Sequence, residues 1–211
     1  MEVESVRLEL VYNDMGLVSS LEEPWGRYTF RICAYDESHV RHEAGKMEVS
    51  KLSYGEVERR GMSLGMIFDD FSMETSQCYD VVFTKKGDLR KAFWHQYYGL
   101  EEYFARDFHF LNRIEIKEEF KGRGIAGIAT QIYFEHFANG NDVAYLKAFP
   151  LQHESQFYDK PYSREFSGDF KTDFSKLCKY YERLGFRRID KTEHFFFVVD
   201  DFLSKRAMMG A

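Results

Sequence analysis

Apolar and polar positions alternate along the first third of the chain. Val6, Leu8, Leu10 and Tyr12 recur two apart within residues 3–12, the period of a half-buried strand. The same period runs through residues 28–35, and residues 46–57 read as a third extended segment. Gly26, Asp36-Glu37-Ser38 and Gly45 are expected to break the chain between them. Residues 63–69 predict a short helix. Residues 72–83 predict a longer one, with Ser72 as N-cap and Glu74 in the first turn. Residues 89–104 read as helical too, interrupted near Gly99.

The second half alternates more strongly. Within residues 108–117 the pattern assigns Phe108, Phe110, Ile114 and Ile116 to one face, interrupted by Asn112. A glycine-rich turn follows, then a helix over 123–138 whose expected stripe is Ile125, Ile128, Ala129, Ile132 and His136. Residues 143–149 form a strand ended by Pro150. Residues 151–171 have no period and exceed an ordinary connector, which marks them as a functional or mobile segment. A helix over 174–184 carries Phe174, Leu177, Cys178 and Tyr181 on one stripe, with Gly185 at its C-cap. A hairpin over 186–199 closes the chain. Strand, glycine turn, helix, strand, loop, helix and hairpin in that order describe an α/β (α+β) chain with a mixed sheet flanked by helices.

Composition narrows the function. The chain has 211 residues, of which 21 are Phe and 14 Tyr, so an aromatic core or an aromatic-lined pocket is expected. One elaborated domain fits that length. No apolar run approaches the ~20 residues of a membrane span. The first residues are acidic where a secretion signal would be basic. Cys33, Cys78 and Cys178 are odd in number and scattered, which suggests a reducing, cytoplasmic setting. A formal charge of −6 disfavours nucleic-acid partners. His39 and His42 stand beside Glu43, but no further ligand lies at a zinc-like offset, so no metal site is expected.

The segment Lys121-Gly122-Arg123-Gly124-Ile125-Ala126-Gly127 leaves a strand and opens a helix. Small residues and unpaired N–H groups at a helix start suit an anion. Neither the Walker loop nor the dinucleotide fingerprint is matched. On these residues alone, glycines serving only tight packing remain an equal alternative. With the strand Ile114-Glu115-Ile116 before it, the segment resembles the acetyl-CoA signature of the Gcn5-related N-acetyltransferases. Tyr180-Tyr181-Glu182-Arg183-Leu184-Gly185-Phe186 resembles the same family's C-terminal block. The resemblance covers about residues 108–199. Lys121 replaces the family's Arg or Gln, and Phe174 stands where many members carry Asn.

The resemblance implies a GNAT-like fold spanning residues 1–211, with its recognisable core over about 105–200 and an N-terminal part that completes or extends the sheet. It implies acetyl-CoA as acyl donor and direct attack by a primary amine, of a small molecule or of a peptide. Ile114, Glu115 and Ile116 would line the pantetheine arm, and residues 121–127 would hold the diphosphate. Tyr181 would protonate the leaving thiolate, unless it is simply core. His109 and Glu115 are candidate bases, as are Glu154, Asp159, Glu165, Asp169 and Asp173, and nothing chooses among them. His136 reads as a core histidine. Competing expectations are a non-catalytic interaction module of the same fold and a toxin-like transferase acting on aminoacyl-tRNA. A homodimer is left open.

Overall fold

The computed structural model describes residues 2–14, 24–86, 90, 107–140, 142–151, 153, 169–199 and 203–204. The helix expected over 89–104 and most of the 151–171 segment lie outside the described residues. Among the described residues, seven strands form one mixed sheet: β1 (Ser5–Asp14), β2 (Trp25–Tyr35), β3 (Arg41–Leu52), β4 (Phe108–Ile116), β5 (Val143–Lys147), β6 (Arg187–Arg188) and β7 (His194–Val198). Their order is β1-β2-β3-β4-β5-β7-β6, so the N-terminal meander joins the later strands through the β3–β4 ladder. Every pair is antiparallel except β4–β5.

Two helical layers cover the sheet. On one face lie α1 (Tyr54–Arg59), α2 (Leu64–Phe71) and α3 (Met73–Val82), packed on Leu52, Phe108, Phe110 and Tyr145. On the other lie α4 (Ile125–Phe137) and α5 (Phe170–Leu184), packed on Phe30, Val49, Leu111 and Leu146. Ser72 caps α3 in a reciprocal box with Thr75, an arrangement worth about 1 kcal/mol. Gly185 ends α5 at φ 101°, with the Phe186 N–H reaching the Tyr181 carbonyl (3.1 Å) in a Schellman turn.

Three readings of the pattern need correction. The third extended segment runs over Arg41–Leu52, and Val57 belongs to α1. Gly26 and Gly45 sit inside β2 and β3 rather than between strands; only Asp36-Glu37-Ser38 turns, its Asp36 carboxylate accepting the Ser38 and Val40 N–H groups. The buried face of α4 is Ile125, Ala129, Thr130, Tyr133 and Phe134, while Ile128 and His136 are exposed, so His136 is not a core residue. Apolar side chains surround most of α4, and the aromatic side wins because its rings interlock with the sheet: Tyr133 meets Phe30 edge-on at 5.6 Å, and Phe134 meets Phe197 at 5.0 Å.

Candidate functional site

The site begins with a strand whose phase changes. Glu48 faces Arg113 and Val49 faces Leu111, leaving Asn112 as an extra residue on β4. One inserted residue exchanges the two faces of everything beyond it. Phe108 and Phe110 therefore pack under α1–α3, whereas Ile114 and Ile116 pack on the α4 side. The expectation that these four share a face is wrong for that reason. Asn112 itself donates to Ser50 Oγ at 2.6 Å.

The second feature is a splay. β4 and β5 pair only through Phe108–Val143, His109–Ala144 and Phe110–Tyr145. Beyond Phe110, β4 runs on along β3 while β5 follows β7. The Lys117 N–H donates to the Ala44 carbonyl at 2.9 Å. Counting back by two, Glu115 and Arg113 also turn their backbone polar groups to β3. Ile114 and Ile116 consequently direct theirs at the opposite edge, where β5 has departed and no described strand takes them. Of the three residues expected to line a pantetheine arm, Glu115 thus spends its backbone on the sheet.

The closed end of the splay is clamped by a buried network. His109 is fully buried; its Nε2 lies 3.0 Å from Asp142 Oδ2 and its Nδ1 2.8 Å from the Tyr133 hydroxyl. Since a carboxylate only accepts, Nε2 donates and Nδ1 accepts the phenol proton. Burial lowers the His109 pKa despite the Asp142 hydrogen bond, which keeps the ring neutral. Burial pushes the Asp142 pKa up, but His109 and the Asn139 N–H outweigh it and leave it below the ordinary value. Asp107 joins the clamp by accepting the Val143 N–H on its carbonyl (3.0 Å) and pairing with Lys51 (2.9 Å). His109 is therefore buried with both ring nitrogens engaged inside the core, a placement that speaks against its candidacy as a base. Glu115 is ion-paired with Arg113 on the face opposite Ile114.

At the open end the chain passes a short 3₁₀ turn (Glu118–Phe120) and enters the glycine segment. Gly122 and Gly124 have φ of 75° and 73°. A Cβ on either would meet no atom within 4 Å. Packing is therefore not the reason for these glycines; the left-handed backbone is, and it leaves open space in front of the helix. Gly124 is the N-cap of α4 and no side chain caps it. The first α4 bond runs from the Ile128 N–H to the Gly124 carbonyl (3.1 Å), so the amides of Ile125, Ala126 and Gly127 have no partner inside the helix. Residues 121–124 are exposed, and Lys121 forms an ion pair with Glu118. An anion placed here would meet amides that have no partner within the helix and the positive end of a 13-residue helix.

Tyr181 stands over the other lip. It packs edge-on against Phe186 and at a tilt against Phe195, each at 5.7 Å, and Phe195 is the β7 partner of Leu146, the first β5 residue past the last β4 pair. Burial, with Tyr180 and Cys178 beside it, raises its phenol pKa above the usual value, so the hydroxyl stays protonated. Among the acids named from the sequence, Asp169 caps α5 through the Lys171 and Thr172 N–H groups. Asp173 is buried against His153 (3.0 Å). Glu154, Asp159 and Glu165 lie outside the described residues. His42 pairs with Asp36 (2.9 Å) and His39 with Glu4 (3.4 Å); among the described residues no group of three or more ligands could hold a metal.

Three features escaped the sequence reading: the clamp, the buried His153–Asp173 pair, and Gly45. The clamp had a faint signal, a histidine and two aspartates flanking otherwise apolar strands. Gly45 is a close-approach glycine, because a Cβ there would lie 2.0 Å from the Glu115 carbonyl oxygen.

No family model matches the chain, and no curated protein matches it. A crystal structure of a tyrosine-to-phenylalanine mutant of KacT is similar over 85% of this chain and 75% of that one, at 13% identity and a TM-score of 0.39. A likeness at that level decides neither the fold family nor the activity. No helix among the described residues is long and apolar enough to cross a membrane.

Proposed function

We propose that the chain is an acyl-CoA-dependent N-acyltransferase of the Gcn5-related type, transferring most simply an acetyl group from acetyl-CoA to a primary amine. The observation that carries this reading is the junction of two backbone surfaces left unpaired among the described residues. The Ile114–Ile116 edge of β4 and the amide-rich, open start of α4 are joined by one short turn. A ligand with an amide-bearing arm and a diphosphate fits that pair of surfaces in both chemistry and order. Open space at Gly122 and Gly124 supports the fit of a diphosphate there.

When bound, the thioester supplies an activated acyl carbon and a thiolate leaving group. The amine lone pair forms the C–N bond as the C–S bond breaks. The chain's part would be to orient and to polarise: an Ile114 or Ile116 N–H could donate to the thioester oxygen, a contact worth about 3 kcal/mol for one oxyanion donor. Tyr181, its hydroxyl kept protonated by burial, would serve as the hydrogen-bond donor to the leaving sulfur. The base that relieves the amine of its proton is not assigned, because His109 and Glu115 are both engaged elsewhere. That engagement favours a second reading, a CoA-binding module without turnover.

Acetyl-CoA titrated into the protein should raise Tm, by about 2.7 kcal/mol of stabilisation at a hundredfold excess over Kd. Thiol release in the presence of an amine panel separates the two readings. Stabilisation without thiol release supports the module, and no stabilisation at millimolar acetyl-CoA refutes both.

A further inference from the structure

Among the described residues, β1 is hydrogen-bonded on one side only, by β2. It spans ten residues and contains neither proline nor lysine, two common guards of a free edge. Its regular stretch ends at a bulge at Val11, and Leu10, Val11 and Tyr12 are 48%, 53% and 55% exposed. An edge of this kind, which no described strand pairs, can be completed by another strand.

The sequence of the edge identifies which strand. Val6, Leu8 and Leu10 point to one face, with Val6 and Leu8 resting on the α4 layer, and Arg7 and Glu9 point to the other. If the strand is laid antiparallel on itself about Leu8, Leu8 meets Leu8, Val6 meets Leu10, and Arg7 meets Glu9 twice. Moving the axis one residue either way opposes Arg7 to Arg7 or Glu9 to Glu9. A half-residue offset sets the apolar face against the charged one. Of these registers, the one about Leu8 satisfies both faces.

Glu9 is ready for such a contact. Arg41 binds both its oxygens (2.8 and 2.7 Å), and Arg31 reaches one (3.4 Å). Those bonds, with one from Cys33, outweigh its desolvation and hold its pKa at about 2, so it remains anionic. Arg7 is exposed on the same face, its guanidinium 5.0 Å over the Tyr35 ring.

We propose that β1 pairs antiparallel with β1 of a second copy of this chain about a twofold axis at Leu8, joining the two sheets edge to edge. The inference does not depend on the acyl-transfer reading. Sedimentation velocity on a dilution series of the full chain should show a monomer–dimer equilibrium. Arg7→Glu replaces both ion pairs by repulsion and should raise the dimer dissociation constant about tenfold or more with Tm retained. Leu8→Cys places two thiols across the axis at the spacing of directly opposed strand residues, and should give a disulfide-linked dimer on a non-reducing gel. The native cysteines are buried and do not contribute to that band. Wild-type protein that stays monomeric at every concentration overturns the proposal. So does an Arg7→Glu dimer as tight as wild type, or a Leu8→Cys chain that does not cross-link under oxidation.

Discussion

Gly45→Ala tests whether the position of the β4 edge matters to function. In the native strand the missing side chain lets β3 approach β4 closely. An added Cβ would lie 2.0 Å from the Glu115 carbonyl oxygen, 3.1 Å from its carbon and 3.2 Å from Ile116 Cα. Real Cβ contacts are essentially never under 3.0 Å, and all three atoms are backbone, so no rotamer can relieve the clash. The strands must part by about 1 Å, and overpacking of that kind costs about 1–3 kcal/mol. For a chain of this length Tm should fall by about 2–4 °C for each kcal/mol lost, which a thermal melt resolves. The direction of the shift carries the functional test. β4 can yield only toward the side where Ile114 and Ile116 present their backbone, so the proposed thioester contacts move with it. A misplacement of about 1 Å in reacting groups can cost on the order of 100-fold in kcat/KM. Acetyl-CoA-dependent thiol release at saturating amine measures it. A Gly45→Ala protein with native Tm and native turnover would refute the close approach and its link to the site. Lost stability with unchanged turnover would refute the link alone.

Other consequences can be checked more briefly. Tyr181→Phe should lower kcat while leaving acetyl-CoA affinity near normal, measured by turnover and by calorimetric titration; a parallel loss of binding would make Tyr181 structural. Gly124→Ala meets no atom, so its cost is the left-handed backbone alone, about 1–2 kcal/mol in a denaturant melt; a much larger loss would mean hidden packing. Acidification should destabilise the fold. The folded pKa values of His109 and Asp142 are both lowered, so stability falls as protons bind the unfolded chain: first below about pH 6.5, for His109, then below about 4, for Asp142. Thermal melts between those limits should show a declining Tm, and a flat profile would contradict a neutral buried imidazole.

How much of this was legible in sequence follows from the range of each signal. Ser72 with Glu74, Gly185 before Phe186, and the Gly122–Gly124 turn are local, and each appears where it was expected. Their chemistry is contained within a few residues. The clamp is not local, since His109, Tyr133 and Asp142 meet only after β4, α4 and β5 have packed. The α4 stripe failed because a helix apolar on most sides leaves the choice of face to its partners, here the rings around Tyr133. Gly45 looked like a turn because nothing along the chain reveals a carbonyl 70 positions away at Glu115.

The unpaired Asn112 also bears on how β4 should be aligned with other proteins. A position-by-position alignment that threads β4 without a gap onto a regular strand lacking the extra residue will equate core residues with surface ones on one side of residue 112. Substitution patterns gathered that way would cancel for the half of β4 that faces the proposed ligand. Allowing a single-residue insertion at that point restores the phase, and similarity searches built on gapless strands will undercount kin.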